Sequence, residues 1–388
     1  MTLRLPAARF TPASGCAVAI GLAILAPGCA VEPQPGPGER TVRIVRDGYG
    51  VAHVYADDRY GLYFGYGHAI AQDRLAQMEM ARRSTQGRVA EVLGGAYVEF
   101  DRNTRTLFSP ASIRRQLDAL APDERAVFDG YAAGINRRLA AMRANPDELM
   151  PAQFDEWGFE PGDWSAYDVA MIFVGTMNNR YGDFNTEREN AAILAELTRL
   201  HGAAPGKALF DLLNPRFTDN APTTIPKADW SRPAYDSLKS RSSVHGLAAA
   251  GPQPVAPERP GGFSNVWLIG KSKARDADAI LLNGPQFGWF NPAYVYSIGL
   301  HGAGIDVAGN TPFGYPVIMF GHNRRIGWGS TWGASDIVDL FVLELDPDDH
   351  GRYRYRGDTL AFEKRTETIG VRGGEPVTFV ARRSIHGP

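Results

Sequence analysis

The sequence predicts an α+β fold in which a helical first half and a sheet-rich second half stand on either side of a spacer. Three observations carry that reading. Phe128, Tyr131, Ile135, Leu139 and Met142 recur at steps of three and four, the period of a helix with one apolar face. Residues 231–262 hold 19 Ser, Pro, Gly or Ala among 32 and show no periodic apolar face, so they form either a linker or a piece destined for removal. Directly after them, residues 266–269 (VWLI) and 279–282 (AILL) are continuous apolar runs, the pattern of strands buried on both faces.

The elements follow in chain order. Arg4 and Arg9 precede the ten-residue apolar run 17–26 (AVAIGLAILA), which is too short to span a bilayer and the right length for a secretory signal. Residues 1–29 therefore read as an export signal. It ends in Ala26-Pro27-Gly28-Cys29, and two readings stand. One is a loose lipobox that would leave a lipid anchor at Cys29; the other is ordinary cleavage just after Cys29-Ala30. The expected destination is the periplasm, as a free protein or as a membrane-anchored lipoprotein. Residues 33–38 (PQPGPG) form a short stiff tether. Strands are expected at 41–45 and 51–55 around the turn Asp47-Gly48-Tyr49-Gly50. Helices are expected at 60–83, at 124–142 up to Asn145-Pro146, at 167–177 behind a capping Ser165, and from Thr186-x-x-Glu189 to about His201 with Gly202 as the stop. Beyond the spacer, further strands are expected at 294–300, 336–345, 352–355, 366–371 and 377–381, with Gly373-Gly374 as the last hairpin turn. The chain thus divides into a signal (1–29), a helical domain (30–230), a spacer (231–263) and a sheet-bearing domain (264–388).

Composition narrows the function. The 388 residues carry 41 basic and 43 acidic side chains and no basic stripe, so nucleic acid is not an expected partner. Cys16 and Cys29 are the only cysteines, which excludes a disulfide framework, a thiolate metal site and a cysteine nucleophile in the body of the protein. There is no GxSxG elbow, no HExxH and no P-loop. Gly65-Tyr66-Gly67-His68 lacks the third glycine of a dinucleotide loop and reads as helix packing.

Ser264 is what remains. It follows Gly261-Gly262-Phe263 at the end of the spacer and opens an apolar strand. Most serines at such a junction are turn residues. A cut before this one, however, would put a hydroxyl and a free α-amino group on the same residue. An α-amino group has a pKa of about 7.7 to 8.0 and is partly neutral at physiological pH, so nucleophile and base would need no histidine.

Several runs share one resemblance. They are 264–273 (SNVWLIGKSK), 283–289 (NGPQFGW), 299–304 (GLHGAG), Gly321-His-Asn, 328–331 (WGST) and, upstream, 171–180 (MIFVGTMNNR). In order and spacing they closely resemble the penicillin acylase (penicillin amidase) family of N-terminal nucleophile hydrolases, over residues 40–388. The resemblance implies a four-layer αββα sandwich and an exported precursor that excises its spacer to leave an α and a β chain. It implies hydrolysis of the side-chain amide of penicillin-type or other arylacetyl amides, with cephalosporins and acyl-homoserine lactones as the substrates of other members. By position, Ser264 matches the nucleophile, Gln286 the residue that orients its freed amine, and Trp332 the backbone N–H that forms half of the oxyanion hole. The family usually has a small residue at that last position, and an indole there narrows the pocket. The acyl pocket maps onto Met177, Arg180, Tyr181, Phe287, Phe320 and Ser330, an aromatic-rich slot suited to an arylacetyl group. Tyr181 replaces the family's usual phenylalanine. Without the alignment, core packing is the better reading of Met177, Phe287 and Phe320.

Asp336-Ile-Val-Asp339 places two carboxylates and the Val338 carbonyl in one short segment, and hard oxygen donors are what Ca2+ takes. Alone, two aspartates three apart are usually solvated charges. The resemblance implies one structural Ca2+ held with Glu187 from the helical part, and two further ligands beyond this sequence. Family precursors also extend past the point matching Pro388, where the second oxyanion donor lies. Two expectations of different class therefore stand: the nucleophile-bearing part of an exported amidase, with the C-terminal part of the fold missing, or a non-catalytic truncated remnant of one.

Overall fold

The computed structural model describes residues 2–4, 41–181, 187–213, 263–286, 291–331 and 340–388. Three strands come first, β1 (Thr2–Arg4), β2 (Thr41–Arg46) and β3 (Ala52–Tyr55). Ten helices follow: α1 (Arg59–Thr85), α2 (Ala90–Leu93), α3 (Val98–Leu107), α4 (Pro110–Asp118), α5 (Pro122–Ala144), α6 (Pro146–Leu149), α7 (Gln153–Trp157), α8 (Ala166–Tyr181), α9 (Glu187–His201) and α10 (Ala203–Leu213). The second half is all strand: β4 (Phe263–Gly270), β5 (Ala279–Gln286), β6 (Val295–Gly302), β7 (Ile305–Pro312), β8 (Phe320–His322), β9 (Gly327–Trp328), β10 (Arg352–Tyr355), β11 (Asp358–Ala361), β12 (Glu363–Ile369) and β13 (Val377–Arg383). The mixed α+β class and the change of character across the spacer agree with the sequence. Residues 214–262, which include most of the spacer, lie outside the described residues. No described helix is long and apolar enough to cross a membrane.

Seven strands form one sheet in the order β1-β2-β3-β6-β7-β8-β9. All its neighbours are antiparallel except β3 and β6, which run parallel with Ala52 beside Ile298 and Tyr55 beside His301. The sheet thereby joins a strand before the spacer to one after it. The β2–β3 turn is built by Asp47, whose carboxylate accepts from the N–H groups of Tyr49 and Val51, both at 2.9 Å.

Helix α1 covers this sheet. Asp58 caps it by accepting from Gly61 N–H at 2.7 Å, and it is buried on nearly every side from Gly61 to Ala71. Val42, Val54, Ile298 and Leu300 meet Leu62, Tyr66 and Ile70 in the main core, and Tyr131, Ile135 and Leu139 of α5 close it from above. The helices approach so closely that side chains are excluded at the contact. A Cβ at Gly67 would lie 2.0 Å from the Tyr131 carbonyl oxygen, one at Gly130 2.4 Å from that of Tyr60, and one at Gly134 2.0 Å from that of Phe64. The Gly65–Gly67 pair is thus helix packing, as the missing third glycine implied.

A buried ion-pair array ties the C-terminal ribbon to this body. Glu79, fully buried, lies 2.6 Å from Arg82 and 3.1 Å from Arg83, and Arg83 reaches Glu91 at 2.8 Å. Arg105 on α3 donates to the Thr368 carbonyl at 2.8 Å and pairs with Glu367 at 3.3 Å, so β12 and β13 dock on α3.

Three expectations are corrected. The runs 266–269 and 279–282 form strands, but not strands buried on both faces. Among the described strands they pair only with each other, and Trp267 and Leu268 are 64% and 72% exposed. The strand expected at 336–345 is absent over its described part, where Leu345 makes only an isolated bridge to Tyr353. Ser165 caps α8 the other way round: its N–H and hydroxyl donate to Asp168 at 2.7 and 2.6 Å.

Gly134→Ala should lower the unfolding free energy by about 2 kcal/mol or more in urea denaturation, since overpacking outweighs the roughly 1 kcal/mol gained in helix propensity. Gly48→Ala, with nothing within 4 Å of the added carbon, should change it little. A second expectation concerns His68, which is 2% exposed. Burial, with Arg138 and Arg137 nearby, pushes its imidazole down to about 4. The unfolded chain takes up a proton near pH 6.5 that the fold refuses until about pH 4, so stability falls as the pH drops through that window. His68→Leu should shrink the loss between pH 7 and 4.5 by about 2 kcal/mol; an equal loss in both proteins would refute the assignment.

Candidate active site

The site begins with the ribbon. Strands β4 and β5 pair antiparallel, with Ser264 beside Pro285 and Phe263 beside Gln286. Ser264 is half-buried and Gln286 exposed. The register therefore sets Gln286 across from the residue whose carbonyl carbon is bonded to the Ser264 nitrogen. The hydroxyl and that carbonyl are adjacent in the chain, so attack of one on the other needs no second site.

Asn283, beside Val266 in the same ladder, reaches off the ribbon. Its Nδ2 donates to the Asn265 carbonyl at 3.0 Å and to the Ser330 carbonyl at 3.4 Å, and its Oδ1 accepts from Ser330 N–H at 3.1 Å. Gly329 leaves room for this: a Cβ there would lie 1.9 Å from Asn283 Oδ1. The preceding Trp328 is held by its indole N–H, which donates to the Ile318 carbonyl at 3.1 Å. The Ser264 strand and the Ser330 loop are thus fastened together.

Among the expected pocket residues, Met177 is half-buried on α8 against the main core, Phe320 is buried at the start of β8, and Ser330 is exposed on its loop. Phe287 and Trp332 lie outside the described residues, as do the side chains of Arg180 and Tyr181. Asp336, Val338 and Asp339 lie outside them too; of the expected calcium ligands only Glu187, in the first turn of α9, is described. Among the described residues no three His, Cys, Asp or Glu side chains come together to hold a metal ion.

Two features were not foreseen. An apolar cleft of about 520 Å³ opens between α1, α7, α8 and the segments just before β6 and just after β7, lined among others by Met80, Trp157, Thr176, Tyr294 and Phe313. Thr176 precedes the expected pocket residue Met177, and its hydroxyl meets that of Tyr315 at 2.7 Å. On the seven-stranded sheet, His53 Nδ1 and His301 Nε2 lie 2.9 Å apart, and His301 Nδ1 lies 2.7 Å from Asp306, which also accepts from Arg324 at 2.7 Å. The hydrogen bond from His301 and the Arg324 charge hold the Asp306 carboxyl below the usual carboxylate range. Neither feature carries a sequence signal, because each is assembled from elements far apart in the chain.

Comparison with known proteins places the chain as a whole. The chain is 44% identical over 382 residues to penicillin G acylase of Escherichia coli, an alignment covering 89% of this chain and 45% of that protein. It is 26% identical over 401 residues to the acyl-homoserine lactone acylase QuiP of Pseudomonas aeruginosa, covering 98% of this chain and 45% of the relative. A solved chain of the thermostable penicillin G acylase from Alcaligenes faecalis is 48% identical, with a TM-score of 0.45, over 48% of this chain and 97% of that one. The chain thus spans a little under half the length of these two full-length relatives. The sequence profile of the penicillin amidase family matches it from residue 41 to residue 388, Ser264, Asn283 and Gln286 included, and the chain belongs to that family.

Proposed function

We propose that this chain carries the nucleophile of an exported amidase that hydrolyses penicillin-type or other arylacetyl amides after cutting its own backbone before Ser264. The observation that carries the reading is the ribbon register, which pairs Phe263 with Gln286 immediately behind the spacer. The 44% identity to penicillin G acylase, against 26% to the lactone acylase, favours the arylacetyl substrate over an acyl-homoserine lactone. The complete fold would be the four-layer αββα sandwich.

In maturation the Ser264 hydroxyl attacks the Phe263 carbonyl carbon. The C–N bond breaks as the nitrogen takes up the hydroxyl proton to become the new α-amine, and water hydrolyses the resulting ester to leave Phe263 as a carboxylate and restore the Ser264 hydroxyl. In turnover the α-amine takes the hydroxyl proton as Oγ attacks the substrate carbonyl, then passes it to the departing amine; water, deprotonated by the same α-amine, next hydrolyses the acyl ester to release the acid and restore the hydroxyl. Gln286 orients the α-amine, and the Trp332 N–H receives the oxyanion, where each donor is worth about a hundred- to a thousand-fold in rate. Met177, Arg180, Tyr181, Phe287, Phe320 and Ser330 enclose the acyl group. The protein works in the periplasm, free or tethered through Cys29. Glu187, Asp336, Asp339 and the Val338 carbonyl would hold one Ca2+, since their oxygens suit a hard cation, and the ion would supply a structural brace between the two chains.

Ser264→Ala should remain a single uncut polypeptide with no release of phenylacetate from a phenylacetyl amide, whereas the wild type should yield a chain beginning at Ser264 by mass spectrometry. Normal processing of the alanine variant would overturn self-cleavage. A chelator should lower the melting temperature by several degrees, and the double variant Asp336→Ala, Asp339→Ala should melt low without responding to it, because an ion bound only by the folded state stabilises by mass action. A wild type indifferent to chelator would remove the calcium.

A further inference from the structure

We propose that Asn283 is a positioning residue for the reaction: it sets the nucleophile's strand against the loop that leads to the oxyanion donor. The inference rests on the function proposed above and adds a residue to it.

Three hydrogen bonds carry it. The two carbonyls that meet Nδ2 can only accept, and the Ser330 N–H that meets Oδ1 can only donate, so the network fixes which end of the amide faces which partner. One partner, the Asn265 carbonyl, belongs to the residue bonded to Ser264. The other, Ser330, is itself an expected pocket residue and stands two positions before Trp332, the expected oxyanion donor. Asn283 therefore links the residue directly after Ser264 to the residue two positions before the expected donor. Ribbon and loop have no backbone pairing to each other among the described residues, so this side chain is a direct link where none exists through a ladder.

No other side chain does the same. Aspartate keeps the shape but turns a carboxylate oxygen toward two carbonyls, and leucine keeps the volume but drops all three bonds. Glutamine is one methylene too long for the space that Gly329 leaves, where even a Cβ would touch the Asn283 amide. That glycine supplies an independent handle. Gly329 does not adopt a left-handed φ, so alanine is compatible with its backbone and acts only by pushing the Asn283 amide aside. Misplacing reacting groups by about 1 Å costs on the order of a hundredfold.

The test uses the processed protein with a phenylacetyl amide as substrate. Active serines are counted with an arylsulfonyl fluoride, so each kcat refers to folded nucleophile alone. Asn283→Asp and Gly329→Ala should each lower kcat per titrated serine at least fivefold with KM within about twofold. Gly329→Ala should add little further loss when placed in Asn283→Gly. A residue that merely braced the fold would lower yield or melting temperature and leave kcat per serine alone, so a fall of less than fivefold in either single variant overturns the proposal. Should one variant give no folded protein, the other decides. Ser264→Ala, run in parallel, separates the two ideas: if it is processed and turns over, the proposed function has failed; if it is dead while the Asn283 and Gly329 variants match the wild type, only the positioning role has.

Discussion

The close crossing of α1 and α5 is the constraint on which the rest of the described structure depends. Backbone touches backbone at Gly67, Gly130 and Gly134, which lets both helices sit within reach of one sheet and buries α1 almost completely. Interiors are packed to crystal-like density, so such a seat tolerates no added methyl without displacement of the whole helix. Strands from before and after the spacer then bury Val54, Ile298 and Leu300 against the same helix. Placement of the second half is in this sense dictated by glycines in the first.

The candidate active site obeys different rules. Among the described residues its ribbon exposes Val266, Trp267, Leu268 and Leu282, and its geometry there is carried by polar contacts. What holds Ser264 in place is the eight-residue antiparallel ladder to β5 and the Asn283 amide. Polar, directional contacts specify position more narrowly than apolar ones, and a proposed nucleophile that must meet a carbonyl on its own backbone needs that narrowness.

Much of the fold was legible in local signals. The Asp47 turn, the Asn145-Pro146 stop after α5 and the Gly373-Gly374 turn all act through residues close in sequence, and each stands where the signal put it. Short α2, α3 and α4 were not legible, because α2 is a single turn, α3 and α4 carry few apolar residues, and all depend on tertiary partners, such as the buried Asp101 carboxylate that accepts from Val89 and Ala90 N–H at 2.9 and 2.7 Å. Strand β7 reads IDVAGNTP, with glycine, asparagine and proline that local propensity assigns to a turn; pairing on both sides with β6 and β8 overrides it. At the candidate site, Ser264 was visible because the spacer marks it. Asn283 was visible only as part of a resembling run, because its role depends on a loop 47 positions away.

The parallel seam between β3 and β6 has a consequence for molecularity. As one polypeptide, the strands on either side of the spacer meet by an intramolecular step, at an effective concentration set by the tether between them. Scission before Ser264 would sever that tether while leaving the seam intact. From then on, separation of the two pieces is first-order and reunion second-order, so dilution alone would make unfolding one-way. Under the proposed maturation, topology would impose the order of events, with assembly before the cut. The spacer would then act as a single-use intramolecular chaperone, and the cleaved protein would persist by a slow rate of coming apart.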